Sequence, residues 1–133
     1  MNRARSVAEA RVLVKVPPER AFAAWSDPSA LRQWYFDDAT LELRPGGRFA
    51  FRGIEGIVEA VVTDVRPDGF AFRYDPPWWG TVHVDIVPEP RGTRVHVRHD
   101  GFEGREEWVQ RFTWGWEAHL RNLKAFVEGR PTR

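Results

Sequence analysis

The residues best suited to chemistry in this chain of 133 are its four histidines. His119 lies in a segment from Glu106 to Val127. At 100° per residue it shares a stripe with Trp108, Phe112, Trp116, Leu123 and Phe126, with Val109, Leu120 and Val127 at one margin. An imidazole among rings can anchor a polar ligand atom or move a proton. The competing reading is a histidine satisfied by backbone or water at the edge of a packed stripe. His99, followed by Asp100, has the parity of Val95 and Val97 and so faces inward at a strand end. There it either lines a pocket mouth or sits in a boundary turn. His83 with Asp85, and His96 with Arg98, take the opposite parity and face outward. Two outward histidines fall short of the three or four convergent ligands a metal requires. We therefore assign no metal and no catalytic set.

Seven tryptophans and a 14% aromatic content are the unusual part of the composition. They favour either a large apolar interior or a ring-lined cavity. Trp34, Tyr35 and Phe36, together with Trp78 and Trp79 in a proline-rich loop, are candidates for a rim around an entrance; Trp34 also fits a core position. Trp114 lies about 180° from the helical stripe, so it meets either solvent or a second copy of the chain. Phe51 and Tyr74 sit on the inward faces of strands. Other chemistries are poorly supplied. There is no cysteine, the serines lie in a tail and at helix ends, and Gly46-Gly47 reads as a hairpin turn without a phosphate-loop pattern.

Net charge is +1, and the 18 arginines and 2 lysines are spread along the chain, which argues against nucleic-acid binding. No apolar run approaches the ~20 residues that cross a bilayer, and the N-terminus lacks a signal-peptide core. A cytoplasmic protein without membrane insertion is the expectation, and nothing calls for a cofactor.

These residues need elements to position them. Residues Val7 to Val16 alternate as a half-buried strand, ended by Pro17-Pro18. Ala21, Phe22 and Trp25 mark one short helix, and Ser29 to Trp34 a second. Six strands follow at hairpin spacing: Thr40–Arg44, Arg48–Arg52, Ile57–Val65, then those marked by Phe70/Phe72/Tyr74, Val82/Val84/Ile86 and Val95/Val97/His99. Turns with Gly or Pro separate them. The long helix closes the chain, with Gly129 and Pro131 as its stop. Consecutive hairpins make an antiparallel sheet of about seven strands, and only the last helix is long enough to cover it. The prediction is a single α+β domain over 1–133, a curved sheet gripping a helix.

Four stretches carry a family resemblance: Val16-Pro-Pro-Glu-Arg-Ala-Phe-Ala-Ala-Trp25 with Leu31-Arg-Gln-Trp34; Leu43-Arg-Pro-Gly-Gly-Arg-Phe-Ala-Phe51; Gly56-Ile-Val-Glu-Ala60; and Gly115-Trp-Glu-Ala-His-Leu-Arg-Asn-Leu123. Together they resemble the helix-grip superfamily of the birch-pollen allergen, the steroidogenic-acute-regulatory-related lipid-transfer (START) domains and the polyketide cyclases. The chain looks most similar to the branch named for the activator of the heat-shock-protein-90 ATPase. The likeness runs from about Val12 to Glu128 and specifies fold more than chemistry. It implies a cavity between sheet and helix for an apolar or aromatic small molecule, lipid-like or polyketide-like. The ligand-binding residues expected on this basis are Trp34, Phe51, Tyr74, Trp79, His99, Trp116 and His119. Two alternatives stand beside that reading: a cyclase or dehydratase using a histidine in the same cavity, and a chaperone-linked interaction module. A homodimer through Trp114 is a further expectation.

Overall fold

The computed structural model describes residues 6–53 and 56–130. The turn between Gly53 and Gly56 and the stop at Pro131 lie outside the described residues. Strand β1 (Ala8–Val14) leads through α1 (Pro18–Ser26) and α2 (Pro28–Trp34) to β2 (Thr40–Leu41). Then come β3 (Arg48–Gly53), β4 (Gly56–Arg66), β5 (Gly69–Asp75), β6 (Thr81–Glu89) and β7 (Gly92–Asp100). A 3-10 turn at Glu106–Trp108 runs into the closing helix α3 (Val109–Val127).

The seven strands form one antiparallel sheet in the order β1-β7-β6-β5-β4-β3-β2. Hairpin neighbours pair in sequence from β2 to β7, and β1 returns to the open edge of β7, with Ala10 opposite Val97. Alternation puts Phe49, Phe51, Phe70, Phe72, Tyr74, Val82, Val84, Val95 and Val97 on the buried inner side. The β4–β5 register shifts between Val62 and Asp64. One extra residue there bends β4 and helps the sheet curl around the helix.

Helices α1 and α2 begin at prolines, whose missing N–H costs nothing in a first turn. The Asp27 carboxylate accepts the Ser29 N–H at 3.0 Å and caps α2. Trp25 and Trp34 meet edge to face at 4.7 Å, and the Trp34 indole N–H donates to the Ala24 carbonyl at 2.8 Å. This locks the two short helices together and aims the residues after Trp34, Tyr35 and Phe36, toward α3.

Two expectations change. The strand over Thr40–Arg44 shortens to Thr40–Leu41 because the chain turns early. The Arg44 N–H bonds to the Glu42 carbonyl and the Gly47 N–H to that of Arg44, both within a tight turn. The second change concerns α3. Its deepest residues are Trp116, Leu120, Leu123 and Val127, whereas Phe112, His119 and Phe126 are half-buried. The side read as a margin is thus the centre. Lys124 Nζ donates to the Leu13 carbonyl at 2.7 Å, and the Glu128 carboxylate accepts the Lys15 N–H at 2.8 Å. These bonds draw α3 toward the β1 edge and turn Leu120 and Val127 inward.

Candidate functional site

Because α3 leans toward β1, it does not close over the other half of the sheet. A recess of about 300 Å³ remains between the helix, the end of α2 and strands β3 and β5. Its walls are Tyr35, Phe36, Phe51, Tyr74, Trp108, Phe112 and Trp116, with Arg111, Gly115 and His119 completing the helical side. Larger recesses open at Arg11, Leu13, Pro90 and Arg94 (about 440 Å³) and at Lys15, Arg20, Glu128 and Arg130 (about 630 Å³). Those are bordered mainly by surface chains at strand and helix ends. Among the described residues, the recess under α3 combines many rings with a few polar atoms, the composition of small-molecule sites.

The ring packing is continuous. Tyr35 lies 5.3 Å from Phe51 and 6.2 Å from Trp116, and Phe36 stacks on Phe51 at 4.4 Å. His119 is wedged beside Tyr35 at 4.4 Å, Phe36 at 5.3 Å and Trp116 at 5.8 Å. Burial among these rings lowers its pKa to about 4. At neutral pH the imidazole is therefore uncharged and offers one donor and one acceptor. Burial also raises the Tyr74 phenol, and burial with the neighbouring Tyr74 raises that of Tyr35. Both hydroxyls stay protonated. No carboxylate borders the recess among the described residues.

Of the expected ligand contacts, the structure brings Phe51, Tyr74, Trp116 and His119 together around the recess. Trp34, Trp79 and His99 do not border it. Trp34 is wholly buried in the core between α1 and α2. Trp79 packs behind the wall, its ring 5.6 Å from Trp108 and 6.0 Å from Phe112. The side chain of Trp78 lies outside the described residues.

His99 departs furthest from its expected place at a mouth. It is 0% exposed, and both ring nitrogens are engaged. An indole N–H can only donate, so the Trp116 N–H at 3.1 Å fixes Nδ1 as an acceptor. Nε2 then carries the proton and donates to the Trp79 carbonyl at 2.8 Å. Tyr74 stacks on the ring, and Phe102 and Phe112 each approach to 4.7 Å. His99 is a core histidine that holds Trp116, and hence one wall of the recess, in place. The backbone brings these partners together through Gly80 and Gly101, both at positive φ (89° and 101°). A side chain on Gly80 would strike the Asp100 carbonyl. The outward histidines are paired: His83 with Asp100 at 3.1 Å and His96 with Glu9 at 2.7 Å.

The sequence reading leaves out Arg111 and Gly115, and it names Trp108 and Phe112 as stripe residues without counting them among the ligand contacts. A signal was present. Arg111, Gly115 and His119 follow one another at four-residue spacing, along one row of the helix surface. Gly115 is also anomalous, since a helix-interior glycine costs about 1 kcal/mol relative to alanine. A Cβ there would meet nothing within 4 Å, so packing does not require the glycine.

Similar folds occur in solved structures. The Aha1 dimer from Colwellia psychrerythraea is 18% identical, with a TM-score of 0.82 over 92% of this chain and 96% of that one. A Staphylococcus saprophyticus protein is 20% identical, with a TM-score of 0.81 over 96% of each chain. The AHSA1-like protein from Aeromonas hydrophila is 23% identical, with a TM-score of 0.77 over 92% of each chain. At these identities the likeness is one of fold. The comparison with curated proteins finds no match. The family model of the activator of Hsp90 ATPase homolog 1-like proteins matches residues 15–128, almost the whole folded region, and the chain belongs to that family.

Proposed function

We propose that this protein binds a small apolar or aromatic molecule, lipid-like or polyketide-like, in the recess beneath α3. The observation that carries the reading is Gly115. At that point the helix forgoes a better helix former while open space lies before it, in the middle of a wall otherwise made of rings. Phe51, Tyr74, Phe112 and Trp116 supply contact area, and the neutral His119 supplies one directional hydrogen bond. A proton-transfer enzyme is less well supported. Among the described residues no carboxylate lines the recess beside His119, and a pKa near 4 leaves few imidazolium ions at neutral pH.

Gly115→Leu tests the reading. The leucine side chain would occupy the recess without displacing anything within 4 Å of its Cβ. Its better helix propensity should hold or raise the melting temperature. The neutral fluorophore N-phenyl-1-naphthylamine is the probe. Saturable binding should weaken by roughly tenfold or more in the variant, about 1.4 kcal/mol or more. Unchanged binding in a folded Gly115→Leu protein, or no saturable binding to the parent, overturns the proposal.

A homodimer belongs to the same proposal. Trp114 is 62% exposed on the outer side of α3, and the related Colwellia psychrerythraea protein is described as a dimer. Light scattering of the protein and of Trp114→Ala checks it, with dimer loss expected in the variant.

A further inference from the structure

The recess carries an asymmetry that its rings do not explain. Ten residues line it, and Arg111 is the only one of them with a formal charge at neutral pH. Its guanidinium lies over the Trp108 ring, 5.0 Å from the centroid. Among the described residues it takes part in no ion pair, although Glu107 stands four residues before it in the 3-10 turn that leads into α3. Other arginines are paired with carboxylates: Arg48 with Glu59, Arg66 with Asp64, Asp68 and Asp85, and Arg94 with Glu89. Stacking on an indole fixes the plane of a guanidinium but leaves its N–H edge free. That edge matches two oxygens of a carboxylate. Two turns farther along the same row stands His119, uncharged and wedged among Tyr35, Phe36 and Trp116. The site therefore reads from one end to the other as cation, rings and neutral polar anchor.

We infer that the ligand is an apolar acid: a ring or chain body held against Phe51, Tyr74, Phe112 and Trp116, with a carboxylate on Arg111. This rests on the ligand-binding reading above and narrows it to a chemical class. A neutral sterol or hydrocarbon would leave Arg111 unused beside apolar surface. An acid gains a charge-assisted pair that the other lining residues do not oppose, since no carboxylate borders the recess among the described residues.

The test compares 2-naphthoate with 2-naphthamide, which share a body and differ in charge, by calorimetry or tryptophan quenching. On the parent protein 2-naphthoate should bind roughly tenfold more tightly. In Arg111→Gln the two probes should become equal, through loss of 2-naphthoate affinity alone. Arg111→Lys should keep part of the preference, and added salt should weaken the acid and spare the amide. Equal affinity of both probes for the parent, or a preference that survives Arg111→Gln, overturns the acid assignment and leaves the binding reading standing. If neither probe binds the parent, both fail. The exposed position of Arg111 keeps the fold of its variants intact, checked by circular dichroism.

Discussion

Replacing His99 by phenylalanine isolates the contact that holds the wall of the recess. The phenyl ring can occupy the space between Tyr74, Phe102 and Phe112. It cannot accept the Trp116 indole N–H or donate to the Trp79 carbonyl. Each of the two orphaned buried groups costs about 1–3 kcal/mol, so the variant should lose about 2–6 kcal/mol near pH 7. The parent has its own liability in acid. Burial holds the His99 pKa at about 4, opposed only in part by the Trp79 carbonyl and Asp100. The unfolded chain titrates near 6.5. The folded value is the lower one, so the unfolded state takes up the proton first as pH falls. Stability from this group is complete above about pH 6.5 and is lost as pH drops toward 4. At about 1.4 kcal/mol per pH unit across that interval, the loss is about 3 kcal/mol. Protonated Nδ1 would also face the Trp116 N–H, donor against donor. Urea unfolding, followed by fluorescence and far-ultraviolet circular dichroism at pH 7, 6, 5 and 4, reads both effects. The gap between parent and His99→Phe should be widest at pH 7 and narrow by about 3 kcal/mol by pH 4. A variant within about 0.5 kcal/mol of the parent at pH 7, or a gap constant with pH, would refute the network.

Two further predictions concern the frame around the site. Trp34→Phe and Trp25→Phe remove similar ring volume. Trp34 also gives up a 2.8 Å bond to the Ala24 carbonyl, while the buried Trp25 Nε1 has no partner among the described residues. Trp34→Phe should therefore be the more destabilising by about 1–2 kcal/mol in chemical denaturation, and equal losses would count against that bond. Gly80→Ala puts a Cβ into the Asp100 carbonyl at a φ of 89°. It should lower stability by more than about 2 kcal/mol and weaken N-phenyl-1-naphthylamine binding through the loop that carries Trp79. A silent melting curve would show that the close approach is dispensable.

Much of the fold is legible in the sequence. Period-two runs such as Phe70/Phe72/Tyr74 and Val82/Val84/Ile86 fix strand faces locally, so Phe51 and Tyr74 lie where alternation put them. The long helix and the inward bias of Trp116 and His119 follow from its 3.6-residue period. The tilt of that helix does not. It depends on Lys124 reaching the Leu13 carbonyl, 111 residues away, and on Glu128 reaching the Lys15 N–H, 113 residues away. No local pattern carries those contacts, yet they create the gap over β3 and β5. The same holds for His99. Parity showed that it points inward, but its partners Trp116 and Trp79 come from other elements. Trp34 reads in sequence as a core position that could also serve a rim, and its burial and bond to Ala24 place it in the core.

The most direct test of the central claim is a nuclear magnetic resonance titration with N-phenyl-1-naphthylamine, observing tryptophan indoles and histidine rings together. The account predicts saturable shifts of Trp108, Trp116 and His119, with the buried Trp25 and the outward Trp114 unmoved, and loss of the effect in Gly115→Leu. Shifts centred on Trp114, or none that saturate, would contradict it.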